Sequence, residues 1–275
     1  MDSKDTALSY VHGFSAEEQA RLKHQAEFLE QKIYRDVDFS LSRHIVEVGC
    51  GVGAQSEILL RRFPRLHITG IDMSEPQLKA CAENLKRAQI GEGRFAARKM
   101  DAQAMDFEGG SFDGAFLCWV LEHVPDPARV LSEVRRVLKP GARVYLTEVM
   151  NSTFFLDPYS PNVWKYWMRF NDFQYDQAGD PFIGAKLGNM LMAAGFRRVQ
   201  TEVKTFHLDN REPERRRQII EYWRNLMLSA SEQLTKAGYV TATDVDAVKS
   251  EMLAIEKNPN AVFYYSFMQA IAITE

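Results

Sequence analysis

Apolar positions along the chain change period in a way that marks out elements. Leu22, Ala26, Leu29 and Ile33 recur at spacings of three and four, which predicts a helix over residues 5–35. A clear alternation of strands and helices then begins. His44-Ile45-Val46-Glu47-Val48 is a short buried strand that ends at glycines, and Ala54 to Arg62 reads as a helix stopped near Phe63-Pro64. His67 to Ile71 is a second strand. Ser74 is placed to cap the next helix, with Pro76 in its first turn. Arg94–Lys99 and Phe112–Leu117 read as further strands, and Pro127–Leu138 as a helix. Lys139-Pro140-Gly141 reads as a turn before a fifth strand, Ala142–Glu148. Strands and helices in alternation over about a hundred residues imply a parallel sheet with helices on both faces, wound by right-handed crossovers. Ligands in such sheets bind beyond the carboxyl ends of the strands, where strand order reverses.

After the fifth strand the pattern loosens. Residues 152–182 are dense in aromatics, Tyr159, Trp164 and Trp167 among them. Ala185–Ala194 reads as a helix, Gly195–Thr205 as a strand, residues 211–257 as polar helix and Val262–Thr274 as a closing strand.

The strongest chemical signal is Val46-Glu47-Val48-Gly49-Cys50-Gly51-Val52-Gly53-Ala54, between a strand and a helix. Glycines there let the backbone turn sharply and approach a ligand closely. Asp72, at the end of the second strand, is placed to accept hydrogen bonds from ribose hydroxyls. Gly49, Gly51 and Ala54 also satisfy the looser dinucleotide pattern, so an NAD-type oxidoreductase is a competing reading. Glu47 argues against it: a carboxylate near the phosphate-binding turn would repel a pyrophosphate and suits a ligand with a cationic amino group. Glu47 capping the loop amides and binding nothing is the plainer alternative.

Residues 44–150 resemble the class I S-adenosylmethionine-dependent methyltransferases of the ubiquinone/menaquinone methyltransferase-like group. The resemblance is carried by Val46-Glu47-Val48-Gly49-Cys50-Gly51-Val52-Gly53, Gly70-Ile71-Asp72-Met73-Ser74, Met100-Asp101-Ala102, Ser111-Phe112-Asp113, Leu121-Glu122-His123-Val124-Pro125-Asp126 and Leu138-Lys139-Pro140-Gly141, in order. It implies a Rossmann-like α/β fold with a seven-stranded, mostly parallel sheet, a helical lid over residues 1–40, a cofactor-binding core over 41–150 and an aromatic substrate cap over 151–184. Residues 185–275 would complete the core, with a helical insertion over 207–258.

The cofactor implied is S-adenosylmethionine. Gly49, Gly51 and Gly53 would wrap its methionyl part with Glu47 beneath the loop, and Asp72 would hold the ribose. Met73 would pack on the adenine, or simply fill core. Asp101 and the Ala102 amide would read the adenine edge, or Asp101 would cap its loop. The Cys118 backbone would face the cofactor amino group while its thiol packs. Tyr10 and Gln25 are the lid's candidate cofactor contacts. His123 either touches cofactor or serves as a general base; Glu148 and His12 are the other candidate bases. Phe14, Asn151, Tyr159, Trp164 and Trp167 are the candidate substrate contacts. Asp113, at the start of its strand, reads as structural.

Composition narrows the substrate. The formal net charge is −3, so no global field attracts nucleic acid or an anionic membrane. The one basic run, Arg215-Arg216-Arg217, sits among glutamates as a solvated face. An RNA-base methyltransferase is therefore a distant alternative, and a silent cofactor-binding scaffold another. No signal peptide or membrane-spanning run is read, and the three cysteines are too far apart for a metal site, which points to a cytoplasmic protein without a bound metal. The acceptor expected is a small, planar or partly apolar metabolite such as a natural-product intermediate. The aromatic segment also leaves a homodimer interface open.

Overall fold

The computed structural model describes residues 12, 13 and 15–275. Tyr10 and Phe14 lie outside the described residues. The first helix, α1, spans Ala16–Tyr34 and is capped by Ser15, whose hydroxyl accepts the Glu18 amide. The core then runs β1 (His44–Val48), α2 (Ala54–Arg62), β2 (His67–Asp72), α3 (Glu75–Arg87), β3 (Phe95–Lys99), β4 (Phe112–Cys118), α4 (Pro127–Val137) and β5 (Leu138–Val149). It continues with β6 (Phe155–Asp157), α5 (Pro161–Asp176), α6 (Leu187–Ala193), β7 (Arg197–Leu208), α7 (Pro213–Ser229), α8 (Ser231–Lys236), α9 (Ala242–Lys257) and β8 (Val262–Ile273).

Strands β1 to β5 pair in parallel in the order β3-β2-β1-β4-β5. The last long strand, β8, runs antiparallel to β5, and β7 lies antiparallel along the other edge of β8. The sheet has eight strands where seven were expected. The extra one is β6, which pairs with Val262–Tyr264 on the stretch of β8 that reaches past β5. A second difference is the Lys139-Pro140-Gly141 segment. It belongs to β5: Leu138 pairs with Phe112, and the register shifts before Arg143 pairs with Gly114. Gly141 takes up the shift with a left-handed backbone, φ +77°, which a glycine adopts without a Cβ clash.

Side chains of the parallel strands alternate between two cores. Ile45, Phe116 and Tyr145 face the core shared with α1, α2, α5 and the α7–α9 helices. Val46, Ala115, Leu117, Val144 and Leu146 face the core built on α4 and α6. Burial on both faces explains why these strands read as continuous apolar runs. Asp113 ties the far end of the sheet together by accepting the Arg43 and His44 amides at 2.9 and 3.0 Å and the Lys139 ammonium at 2.6 Å. No helix among the described residues is long and apolar enough to cross a membrane.

Candidate active site

The strand order reverses between β1 and β4, and one cavity of about 850 Å³ opens at the carboxyl ends of β1, β2 and β4. Its floor is the loop after β1. The Ile71 carbonyl accepts the amides of Gly49 and Cys50 at 2.8 and 3.0 Å, so the end of β2 fixes the loop's path. Gly49 has φ +68°, and a Cβ there would lie 2.6 Å from a Val120 methyl. Gly51 has φ +49° with nothing within 4 Å of a Cβ, and it borders the cavity. Gly53 is different: it does not line the cavity, and a Cβ on it would meet the Cys81 sulfur at 2.5 Å. The third glycine allows α2 to pack on α3, and the expectation that it wraps a ligand is corrected.

Asp72 ends β2 on the cavity wall. Its two carboxylate oxygens accept the Gly51 amide at 2.9 Å and the Ser74 amide at 2.8 Å. Burial pushes its pKa up from the ordinary carboxylate value. Met73, Asp101 and Ala102 line the same end, and Asp101 accepts the Gln103 amide at 2.8 Å.

Glu47 does not meet this cavity. It is 2% exposed within β1 and accepts the Ser56 hydroxyl of α2. Burial pushes its pKa up to about 8, and the nearby Asp72 charge adds to that. The expected free carboxylate facing a cationic ligand is therefore corrected: the side chain is a buried, proton-holding link between strand and helix, and it caps no loop amide.

Beyond β4 the chain turns through Trp119 to His123. The Trp119 backbone is left-handed, φ +59°, a rare state for a bulky residue. Glu148 holds the next turn. Its Oε1 accepts the Val120 and Leu121 amides at 3.0 and 2.7 Å, and the residue is fully buried off the cavity. Burial and the neighbouring Glu122 push its pKa up to about 8. Glu148 is thus a clamp on backbone amides, and its expected role as a base at the reacting atoms is corrected. Glu122 does line the cavity; its Oε2 accepts the Gln174 amide nitrogen at 2.8 Å, and its Oε1 lies 3.6 Å from His123 Nε2.

Both candidate histidines line the cavity. His12 Nδ1 lies 2.6 Å from the Ser229 hydroxyl, and burial, with Arg21 and His123 nearby, lowers its pKa well below the ordinary imidazole value. Gln25 borders the same space from α1, its oxygen accepting from Arg21 at 3.0 Å. Cys118 is buried at the end of β4 with atoms on the wall; burial and neighbouring carboxylates push its thiol pKa well up.

The cap supplies an aromatic half. Asn151 is a hub there: its amide donates to Asn171 at 2.8 Å, its side-chain oxygen accepts the Tyr265 hydroxyl at 2.9 Å, and its carbonyl accepts the Trp167 indole at 3.0 Å. Asn151 and Trp167 line the cavity as expected of substrate contacts, but Tyr159 and Trp164 do not. Tyr159 is 75% exposed in the loop before α5, and Trp164 turns edge-on to Phe154 at 5.6 Å.

Residues 46–146 match the family described as "Methyltransferase domain". Among curated relatives, O-methyltransferase resE of Aspergillus sclerotiorum is 30% identical over 176 residues, 62% of this chain and 62% of that protein. A ubiquinone biosynthesis O-methyltransferase of Hahella chejuensis is 36% identical over 107 residues, 39% of this chain and 43% of that protein. The chain therefore spans less than two thirds of either relative. A solved structure of phosphoethanolamine N-methyltransferase 2 from Haemonchus contortus, with S-adenosylhomocysteine bound, superposes with a TM-score of 0.56 at 18% identity, over 91% of this chain and 53% of that one. Residues 46–146 are thus similar to a methyltransferase domain, and the chain shares the fold of the solved methyltransferase structure.

The methyltransferase domain supplies the polar end of the cavity, and segments outside it supply most of the apolar end. Trp223 and Leu226 come from α7, Phe206 from β7 and Phe267 from β8. Sequence reading did not assign these to the site. An apolar stripe, Ile219, Tyr222, Trp223, Leu226, was present in the polar 211–257 segment, but the stripe does not say which surface it covers. Trp119 and Glu122 were also missed, although Glu122 sits in a motif that carried the resemblance and Trp119 lies two residues before it.

Proposed function

We propose that this chain transfers a methyl group from S-adenosylmethionine to an oxygen atom of a small-molecule acceptor. The observation that carries the reading is the continuity of one cavity, from the Gly49–Gly51 loop, Asp72 and Asp101 at one end to an aromatic chamber at the other. The residues present suit the cofactor. Asp72 would accept the ribose hydroxyls and Asp101 the adenine amine, with Met73 and Ala102 beside the base. The open side of Gly51 leaves room for the methionyl part. When bound, the cofactor supplies a methyl group already activated by its sulfonium, so the protein's task is mainly alignment.

Alignment of acceptor and methyl can lower a barrier by roughly 7–11 kcal/mol at best. The lid residues Leu22 and Leu29 and the chamber's aromatic walls exclude water that would solvate the acceptor. A hydroxyl acceptor must lose a proton, and His123, with Glu122 3.6 Å away, is the base we assign. The relatives' names as O-methyltransferases support oxygen as the acceptor atom. The reading extends to a tailoring step in secondary metabolism within the cytoplasm. Met168 and Tyr175, exposed seven residues apart on α5, are the face we assign to a homodimer, which sedimentation at two concentrations tests.

Calorimetry with S-adenosylhomocysteine, beside NADH, tests the cofactor. Heat from the first and none from the second is expected, and the reverse would end the reading. Mass spectrometry of cell extract treated with the protein and deuterated S-adenosylmethionine then identifies the acceptor.

A further inference from the structure

The acceptor end of the cavity carries one acid whose charge the described protein leaves unmatched. Glu122 lines the cavity, with 9% of its side chain exposed. Its Oε2 accepts the Gln174 side-chain amide, a neutral donor, at 2.8 Å. Its Oε1 accepts no hydrogen bond among the described residues and keeps accessible surface, unlike the sealed Oε2 of Glu148. Among the described residues the nearest basic side chain is His123, at 3.6 Å, and no lysine or arginine nitrogen lies within 4.0 Å of this carboxylate. A base assigned to the reaction must be neutral to take a proton, so His123 brings no matching charge.

The other charges nearby are accounted for. Arg21 also lines the cavity, but its guanidinium makes two hydrogen bonds to Glu18, at 2.7 and 2.6 Å, and a third to Gln25 at 3.0 Å. Glu148 keeps its proton at neutral pH, because burial and the Glu122 charge push its pKa up to about 8. Burial pushes the Tyr265 hydroxyl well up, and the same Glu122 charge adds to it. The described walls of the acceptor end therefore carry a net negative charge.

The carboxylate is firmly placed. The Glu122 carbonyl accepts the Asp180 amide at 2.8 Å, and a Cβ on Gly179 would lie 2.6 Å from that same oxygen. Glu148 pins the two amides before it. Trp119, Trp167, Phe170, Tyr222 and Tyr265 line the same space. Aromatic walls exclude water and leave a charge poorly screened, and ring faces attract cations. A buried charge ordinarily has a partner. Among the described residues no three metal-ligating side chains stand together, so the donor set suits an ammonium better than a metal ion.

We propose that Glu122 is a specificity-determining residue that pairs with a protonated amine on the acceptor. The substrate class is then the small hydroxylated aromatic amines. This rests on the methyltransferase reading, in which His123 takes the hydroxyl proton, but the amine site is testable by binding alone. Glu122 Oε1 and His123 Nε2 are 3.6 Å apart, and one hydrogen bond of about 2.8 Å reaches beyond each, so ammonium and hydroxyl stand no more than about 9 Å apart. One ring with a short side chain meets that limit.

Tyramine, 4-propylphenol and 3-(4-hydroxyphenyl)propanoate share a hydroxyphenyl ring on a short chain. They end in a cation, a methyl group and an anion. Each is titrated by calorimetry at neutral pH into protein saturated with S-adenosylhomocysteine, using the wild type and Glu122→Gln. Tyramine is expected to bind the wild type at least about tenfold more tightly than 4-propylphenol, the worth of a hydrogen bond to a charged group, with the propanoate weakest. In Glu122→Gln that lead should vanish while affinities for 4-propylphenol and S-adenosylhomocysteine stay within about twofold. Equal affinity of the wild type for tyramine and 4-propylphenol overturns the proposal, as does a lead that survives in the variant or failure of all three ligands to bind. Tightest binding of the propanoate overturns it in favour of Arg21 as the recognising charge. If tyramine has no lead while the wild type alone holds S-adenosylmethionine more tightly than S-adenosylhomocysteine, the charge serves the cofactor's sulfonium and the amine class falls. The wild-type comparison needs no variant to fold. If S-adenosylhomocysteine itself gives no heat, the methyltransferase reading fails separately, and the three ligands are compared on the protein alone.

Discussion

Replacing Glu47 with Gln should flatten the pH dependence of stability. The carboxyl is 2% exposed, and its pKa rises from 4.5 to about 8 on folding. A group that holds its proton more tightly when folded contributes stability that is fully present below about 4.5 and is lost as pH rises through about 8. Between those values the native chain keeps a proton that the unfolded chain has shed. Stability therefore falls by about 1.4 kcal/mol per pH unit for each such group. Glu148, raised to about 8, acts with the same sign in the same window. Gln keeps the shape of Glu47 and an oxygen for the Ser56 hydroxyl, and removes the ionisation.

Urea denaturation of wild type and Glu47→Gln at pH 5.5 and 7.5 isolates the effect, because the groups common to both proteins cancel. The wild type should lose more stability than the variant over those two units, by at most about 2.7 kcal/mol. An identical loss in the two proteins would refute the buried, protonated state of Glu47. The same variant also decides its part in binding. A neutral Glu47 leaves affinity for S-adenosylhomocysteine nearly unchanged at pH 7, whereas a large loss would restore the free carboxylate facing a cation.

Four further outcomes follow from the site. Gly49→Ala must adopt φ +68° with its methyl 2.6 Å from Val120, and should lose about 1–3 kcal/mol from backbone strain before the clash is added, read by urea melts. Gly51→Ala must hold φ +49° but has open space around its methyl, so by urea melts it should lose only the backbone strain, about 1–3 kcal/mol, with no clash added, and it should bind S-adenosylhomocysteine at least tenfold more weakly by calorimetry, because the methyl enters the ligand's side of the loop. Asp72→Asn turns one acceptor into a donor facing either the Gly51 or the Ser74 amide, and should raise the KM for S-adenosylmethionine more than it lowers kcat. With a hydroxyl acceptor, His123→Asn should lower kcat by roughly 100-fold or more while leaving cofactor affinity intact, and His12→Asn should not; equal rates for wild type and His123→Asn would remove the base.

The parallel core was legible because its signals are local. Strands β1 and β2 are short apolar runs closed by glycine or a capped helix, and their ends agree with the reading to within a residue. The Lys139-Pro140-Gly141 segment misled because a bulge with one left-handed glycine has the same local chemistry as a turn; only the Leu138–Phe112 pairing distinguishes them. Side-chain depth was the harder matter. Glu47 and Glu148 stand at strand ends beside the ligand loop, where an acid suggests chemistry. Both are turned into the protein, where one accepts a hydroxyl and the other two amides. In the cap, Trp164 and Trp167 are one helical turn apart, yet only Trp167 reaches the cavity. That difference depends on how α5 sits against α7 and α9, and a sequence does not display it.

The two ends of the cavity are built in different ways, and the difference has a consequence for specificity. At the end we assign to the nucleoside the wall is set by backbone: left-handed glycines, amides received by Asp72, and carbonyls at the end of β2. Changes there disturb the sheet itself. At the acceptor end the walls are side chains from α5, α7, β7 and β8, segments distant in sequence that meet only in the folded chain. Replacing a ring there alters the chamber's shape without touching the cofactor loop. One short segment belongs to both ends. Residues 118–123 carry Cys118 at the strand end, the Trp119 indole in the chamber, and the Glu122–His123 pair between them. Glu148 fixes the middle of that segment from a place off the cavity, so it positions the Trp119 wall and the base we assign, His123, together. Loss of the clamp should therefore weaken acceptor binding and turnover in parallel, a coupling that a wall residue such as Phe206 has no means to produce.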